Sequence, residues 1–414
     1  MSGSSPSIHR RDTCRVCGST SVREFLRFDS MPLTDAFVRL GEEGTEFVAS
    51  LGIHHCLDCH TSQTLHDVDT RDYYRDYRYT VSHSAFAQRF MADLAKACFQ
   101  KLGLKRGDPV IEVGSGDGGQ LVHFKTLGAQ VLGYEPSADL AKASEAAGVP
   151  VVTRLFDAAG VRDIPAQFRP AKALLLTYTL DHLPDPVGFL AAARAALDPQ
   201  DGVLIVEVHD LEKIIDRCET CLFEHEHTIY LHRLTMARLL DRAGFTLIST
   251  NLLPESQRRG NSLLIVASVK GSPRTPDDSA RTDHLGHLNE WSTHLAFRDQ
   301  VQRRLSGLRS HVRDLRAKGR RVAGYGAGGR GVMTLAMCGL TKNDIDYLCD
   351  RNPAFHGLLT PQTHVPVVPP EHIDRHSVDE LIVFSYGYLS EIRSQLQAFE
   401  SRGGRIVSML ELLR

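Results

Sequence analysis

Residues 109–136, PVIEVGSGDGGQLVHFKTLGAQVLGYEP, run from an apolar strand through a glycine loop into a helix, then out to a second apolar strand that ends at Glu135. Glycine at 114 and 116 lets the backbone approach a ligand closely. An acid 21 residues beyond Gly114, at the end of the second strand, can accept both hydroxyls of a ribose. Strand, loop, helix and acid agree, so the stretch predicts a nucleoside-binding α/β unit. Outward from it, ALLLTYTLDHLPDP (173–186) and DGVLIVEVHD (201–210) are two more buried strands with loops behind them. Strands alternating with helices predict a doubly wound parallel sheet with the ligand at the carboxyl ends of its strands.

The nature of the ligand turns on charge. Glu112 precedes the first glycine and Asp117 lies within the loop, and both would crowd a pyrophosphate with negative charge. A sulfonium amino acid has no phosphate to repel and a cationic centre to attract. The loop therefore points to S-adenosylmethionine, with Glu112, Gly114, Gly116, Asp117 and Glu135 around it and Asp157 of TRLFDAAGV near the adenine.

The flanks have different textures. Cys14-Arg-Val-Cys17 and Cys56-Leu-Asp-Cys59 are two CxxC knuckles with 38 residues between them. Two such knuckles complete a tetrahedral four-sulfur shell for zinc, and four thiolates leave no open position for substrate, so the predicted site is structural. Beyond a polar connector at 271–283 comes a helical pattern over about 285–317. GRRVAGYGAGGRGVMTLAMCGL (319–340) then repeats strand, glycine loop and helix. Gly326, Gly328 and Gly329 could present amides to a phosphate at a helix N-terminus, and Arg330 and Arg351 could add charge-assisted bonds.

At 414 residues the chain is long enough for several domains. The expected order is a small zinc-binding module (1–80), a central Rossmann-like methyltransferase domain (81–270) and a C-terminal Rossmann-like α/β domain (284–414). A formal net charge of -2 argues against a general nucleic-acid binder. The N-terminus MSGSSPSIHRRD lacks a signal-peptide core and no uninterrupted apolar run is long enough to span a bilayer, so a cytoplasmic protein with a small-molecule substrate is expected. The sequence leaves the oligomeric state open.

The segment CLFEHEHTIYL (221–231) packs Glu224, His225, Glu226 and His227 into four positions. Its spacing is not that of HExxH, and the cysteines already supply a metal shell, so it is read as an acid/base segment. If extended, it would turn His225 and His227 to one face and Glu224 and Glu226 to the other.

Taken in order, the cysteine quartet, the EVGSGDG loop, the HEH triplet and the tail VAGYGAGGRG…DYLCDRNPAFHG resemble the sugar C-methyltransferases of deoxysugar biosynthesis. The resemblance spans Cys14 to about Val407. It implies methylation of a carbon beside the keto group of a nucleotide-linked 4-ketohexose. It implies that YRYTVSHS brings Tyr77 and Tyr79 to the active site, and that His182, Glu226 and His227 match family positions there. Glu224 stands where the family has tyrosine, Tyr230 matches a later aromatic, and the tail with Arg351 and Asn352 would hold the nucleotide diphosphate. Such chemistry needs a base for the α proton, for which His227 is chosen with His209 as runner-up, because imidazole titrates near neutrality. It also needs donors for the keto oxygen, here Tyr79 and His182, with Glu226 or His225 as positioning partners. An O- or N-methyltransferase would share the fold but has no use for enolate machinery. A non-catalytic zinc-and-nucleotide module has no use for the intact EVGSGDG loop with Glu135.

Overall fold

The computed structural model describes residues 6–69 and 85–414. Tyr77 and Tyr79 lie outside the described residues. The N-terminal module is built on β2 (Val22–Pro32) and β3 (Val48–Cys56), a long antiparallel hairpin extended by β4 (Ser62–Thr64); β1 (Ile8–Arg10) pairs separately with β5 (His66–Val68). The hairpin buries Phe25, Leu26, Leu51 and Ile53 on one face.

Helix α1 (Ala85–Leu102) leads into the central domain. There β6 (Pro109–Val113), α2 (Gly119–Thr126), β7 (Gln130–Tyr134), α3 (Ala138–Ala146), β8 (Val151–Val152), β9 (Ala173–Thr177), α4 (Pro186–Ala196), β10 (Val203–Val208) and α5 (Leu211–Arg217) follow. The chain continues through β11 (Ile229–Tyr230), α6 (Arg233–Arg242), β12 (Phe245–Ser249) and β13 (Leu263–Val269). The seven-stranded sheet has the order β12-β13-β10-β9-β6-β7-β8. Its strands β8 to β10 are parallel, whereas β13 enters antiparallel between β10 and β12. ALLLT and VLIVEV are apolar along their length because helices cover both faces of the sheet. The order reverses at β6, so the crevice at its carboxyl end is the place for a ligand.

In the C-terminal domain the helix expected over 285–317 is divided. Residues Asp283–Asn289 form a 3-10 turn, and α7 (Trp291–Ala317) begins after Glu290. Its buried stripe of His294, Phe297, Val301, Leu305, Leu308 and Val312 repeats at three and four residues. Strands β14 (Val322–Tyr325), β15 (Leu348–Cys349), β16 (Val367–Val368), β17 (Glu380–Val383) and β18 (Arg405–Ser408), with α8 (Gly329–Cys338) after β14, make a parallel sheet ordered β16-β15-β14-β17-β18. This sheet also reverses beside its glycine loop.

The three parts share one core. Phe25 and Ile53 of the hairpin, Leu222 and Phe223 of the central domain, and Phe297 and Val332 of the C-terminal domain belong to a single buried cluster. β11, which follows α5 of the central domain, pairs antiparallel with β4, Ile229 opposite Gln63 and Tyr230 opposite Ser62. The segment carrying the histidines is therefore stitched into the N-terminal sheet. The expected α/β class, with a zinc module and two Rossmann-like domains, is the one observed.

Candidate active site

At the end of β6 the chain turns through Gly114, φ 70°, and Gly116, φ 54°. A Cβ at Gly114 would lie 2.6 Å from Thr179 Oγ1, so the close approach of two loops requires glycine there. Glu135 fixes the loop: its carboxylate accepts from the Gly116 amide at 2.9 Å and the Ser137 amide at 2.8 Å. Burial raises its pKa against those two bonds. Glu112 is buried on β6, where Thr177 Oγ1 donates to Oε1 at 3.0 Å. Its Oε2 is buried with no partner among the described residues, and burial pushes its pKa up to about 8. An unpaired carboxyl oxygen beside a glycine loop suits a cationic amino-acid ligand, which would both satisfy it and restore its charge. Asp117 accepts from the Gly119 amide at 3.1 Å, opening α2. Asp157 is 60% exposed and is committed to the Gly160 amide at 2.6 Å.

The histidine cluster forms where the loops after β9 and β10 meet residues 224–227. His227 Nδ1 lies 2.9 Å from the Leu222 carbonyl. A carbonyl can only accept, so Nδ1 carries the proton and Nε2 is the basic nitrogen. Nε2 faces Glu224 Oε2 at 3.6 Å. Burial presses the His227 pKa down, but the carboxylates of Glu224 and Asp181 outweigh it and the net shift is upward. The rings of His182 and His209 lie 4.7 and 5.0 Å from that of His227. Burial, joined by repulsion from His227, carries His182 down to about 4 and His209 likewise. His209 Nδ1 is 3.1 Å from Asp181 Oδ2. Burial alone would raise Asp181; its bond to His209 and the nearby imidazoles take it below the usual carboxylate range.

Residues 224–227 form a turn, with the His227 amide directed at the Glu224 carbonyl at 3.4 Å. The facing expected of an extended strand is corrected accordingly: Glu224 pairs with His227, while His225 and Glu226 both turn toward the N-terminal module. His225 Nε2 donates to the Met31 carbonyl at 3.1 Å, and its Nδ1 is 2.9 Å from His66 Nε2. Both ring nitrogens are thus engaged away from the cluster. Glu226 Oε1 accepts from the Thr34 amide at 2.8 Å and from Thr34 Oγ1 at 2.9 Å. The Tyr230 hydroxyl is taken up by the turn, within 3.2–3.3 Å of the Glu224 amide and the carbonyls of Glu224 and His227.

The C-terminal glycine loop closes the cluster. A Cβ at Gly329 would lie 2.9 Å from Glu224 Oε1 and 3.4 Å from Thr34 Cγ2. The N-terminus of α8 therefore meets the Glu224 side chain. Within the loop, the Gly326 amide is bonded to the Cys349 carbonyl and the Ala327 amide to Asp350 Oδ2, while the Gly331 and Val332 amides bond the Gly328 carbonyl as α8 begins. Arg330 stacks 5.2 Å over Tyr386, with Nε 3.3 Å from its hydroxyl. Arg351 pairs with Glu391 at 2.7 Å on the surface, and the Asn352 side chain caps the Ala354 amide.

Sequence reasoning missed a pair beneath the cluster. Arg259 bonds Glu207 at 3.0 Å and sits 4.7 and 4.9 Å from the Phe90 and Tyr178 rings. Tyr178 adopts φ 52°, and its ring lies 4.6 Å from that of His209 at a tilt of 46°. Asp181, directly before His182, was also passed over; the neighbouring histidine in LDHLPDP was its only signal.

The four cysteines are free, and their sulfurs lie within 4.8 Å of one another. Cys14–Cys59 and Cys17–Cys56 are 3.5 and 3.6 Å apart, close to the ~3.8 Å edge of a tetrahedron with 2.3 Å zinc–sulfur bonds. Gln63 Nε2 and the Val16 amide point at Cys14 Sγ from 3.0 and 3.4 Å, the orienting bonds a thiolate ligand attracts. The residues fit structural zinc. Asp181, His209 and His227 also offer ligand atoms within 4.8 Å of one another, a grouping the sequence spacing did not reveal. Among the described residues no helix is long and apolar enough to cross a membrane.

Three family models tile the chain in order: a zinc binding domain over residues 14–74, a methyltransferase domain over 83–250, and a C-methyltransferase C-terminal domain over 259–410. Their order and this fold mark the chain as an S-adenosylmethionine-dependent C-methyltransferase. It is similar to the C-methyltransferase NovU of Streptomyces niveus, 28% identical over 96% of this chain and 94% of that one. Solved structures that resemble it include the PH0226 protein of Pyrococcus horikoshii OT3 (17% identity, 48% of this chain and 99% of the other, TM-score 0.38). Another is magnesium protoporphyrin IX methyltransferase of Synechocystis PCC 6803 with bound SAH (14% identity, 49% and 92%, TM-score 0.36).

Proposed function

We propose that this enzyme methylates the carbon beside the keto group of a nucleotide-linked 4-ketosugar, with His227 as the base. The observation that carries the proposal is the His227 ring: its Nδ1 proton is fixed on the Leu222 carbonyl, and Nε2 is turned into a buried cluster. A base so tautomerised can take an α proton as soon as a substrate lies within hydrogen-bond reach. His182, carried down to about 4, is neutral at working pH and would donate to the keto oxygen as negative charge develops there. Such a donor contributes on the order of 3 kcal/mol, about a hundredfold in rate. Tyr79 is proposed for the same task. Bound S-adenosylmethionine supplies the electrophilic methyl group; Glu112, Asp117 and Glu135 at the β6–β7 crevice would hold it. Gly328, Gly329 and Arg330 would meet the diphosphate, and their nearness to Glu224 supports a substrate that reaches from the C-terminal domain into the histidine cluster. Arg351, already paired at the surface, and Asn352, already capping, would meet the nucleotide only by exchanging partners. The substrate would be a small molecule in an aqueous compartment, the cytoplasm.

The test is exchange of the α hydrogen for deuterium in D2O, followed by NMR, across a panel of nucleoside-diphosphate 4-ketohexoses. Exchange should occur with one or more members and vanish in His227→Ala, while calorimetric binding of S-adenosylmethionine persists. Exchange at the wild-type rate in that variant would remove His227 as base. Methyl transfer without exchange would favour an oxygen or nitrogen acceptor.

A further inference from the structure

Each C-methylation leaves a proton behind. The substrate C–H bond breaks with its electron pair staying on carbon, the C–CH3 bond forms as the S–CH3 bond breaks, and the proton remains on the base. If that base is His227, as proposed above, the proton sits on a ring only 4% exposed and must leave before the next turnover. Nδ1 offers no way out, because it already donates to the Leu222 carbonyl.

We infer that Glu224 is the proton outlet of His227: its carboxylate faces the nitrogen that takes the substrate proton, holds the imidazolium by charge, and relays the proton outward after methyl transfer. The geometry is specific. Glu224 Oε2 is 3.6 Å from His227 Nε2, and its side chain is 11% exposed against 4% for the histidine, so it lies on the solvent side of the pair. The Tyr230 hydroxyl lies against the backbone amide and carbonyl of Glu224, and Oε1 rests beside Gly329 at the start of α8.

The other groups facing the pair are less suited to receive the proton. Asp181 is held below the usual carboxylate range by His209 and the nearby imidazoles, which makes it the weaker acceptor, and Glu226 is turned toward the N-terminal module by the two bonds of its Oε1 to Thr34. His182 and His209 are both held near 4, far too weakly basic to discharge an imidazolium. Asp35 and Arg330 act on Glu224 through charge, with opposite signs. Burial pushes Glu224 up to about 8, with His227 opposing, which brings the acceptor into the range of the imidazole it relieves; proton transfer between matched groups is fast and reversible.

The test uses the full chain and two substitutions, Glu224→Gln and Glu224→Asp. The imidazole 15N resonances of His227 are followed against pH. In Glu224→Gln the midpoint should fall by about one pH unit or more through loss of the facing charge, with Nδ1 still protonated; in Glu224→Asp it should stay near wild type. With whichever nucleoside-diphosphate 4-ketohexose of the panel exchanges, rapid quench above both midpoints should show a first turnover slowed by up to about tenfold in Glu224→Gln, the cost of a base weakened by about one pH unit. Steady-state turnover should drop at least about a hundredfold, and Glu224→Asp should recover most of it. A midpoint unmoved by Glu224→Gln, or equal losses in first turnover and steady state, overturns the inference. Failure of the base assignment is distinguishable: His227→Ala would then exchange normally even though Glu224→Gln moves the His227 midpoint.

Discussion

Replacing His232 with leucine should flatten the acid side of the stability profile. His232 precedes α6, is fully buried, and has no partner at either ring nitrogen among the described residues. Burial first, then the nearby Arg238 and neighbouring histidines, carry its pKa down to about 3. An imidazole in an unfolded chain titrates near 6.5. Below that pH the unfolded state binds a proton that the folded state refuses, so this group makes stability fall as the pH drops from about 6.5 toward 3. Between pH 7.5 and 5.0 the unfolded ring gains about 1.5 units' worth of protonation free energy, about 2 kcal/mol, while the folded ring stays neutral. Urea denaturation at the two pH values gives the slope. In His232→Leu the loss between them should shrink by about 2 kcal/mol, and taking the difference from wild type cancels zinc release and every other titration. At pH 7.5 the variant should be at least as stable, since leucine has similar volume and brings no unpartnered nitrogen into the core. Equal losses in variant and wild type would refute the assignment of a buried neutral imidazole.

Other substitutions test other joints. Gly114→Ala places a side chain at φ 70° and 2.6 Å from Thr179 Oγ1; calorimetry should show S-adenosylmethionine binding weakened at least about tenfold from roughly 1–2 kcal/mol of left-handed strain plus the clash, and unchanged affinity would refute it. Glu226→Ala strips the Thr34 amide and hydroxyl of their shared acceptor and should cost on the order of 3 kcal/mol in urea, whereas Glu226→Gln, which keeps an oxygen, should cost less than half of that. Metal analysis of purified protein should return a single zinc per chain, lost together with the fold of the N-terminal module on strong chelation. A second bound equivalent, lost in His209→Ala, would mean that Asp181, His209 and His227 hold a metal, the other such group among the described residues.

The cofactor loop and the metal shell were legible because each is a local pattern with one physical solution. PVIEVGSGDG must be a strand turning under glycines, and four cysteines in two knuckles close on one ion. Glu224 to His227 were legible as chemistry but not as geometry. Alternation assumes an extended strand, whereas the Tyr230 hydroxyl gathers the backbone of residues 224–227 into a turn. That contact puts Glu224 and His227 on one side and sends His225 and Glu226 to Met31 and Thr34, partners more than 190 residues away in the chain. Asp181 and Arg259 were hidden for the same reason: their partners, His209 and Glu207, meet them only once the sheet is assembled.

The same long-range contacts explain why three modules are built around one short segment. Residues 225 and 226 bind the zinc module, β11 adds to its sheet, Glu224 meets the C-terminal glycine loop, and His227 faces the loops at the carboxyl ends of β9 and β10. A displacement of the zinc module would therefore pull on the turn that fixes the His227 tautomer. Chelation of zinc should accordingly abolish α-hydrogen exchange while leaving S-adenosylmethionine affinity, which depends on the β6–β7 crevice, within about threefold of the holoenzyme. Equal loss of both would show that the cofactor crevice, too, depends on the zinc module, and would contradict this division of labour.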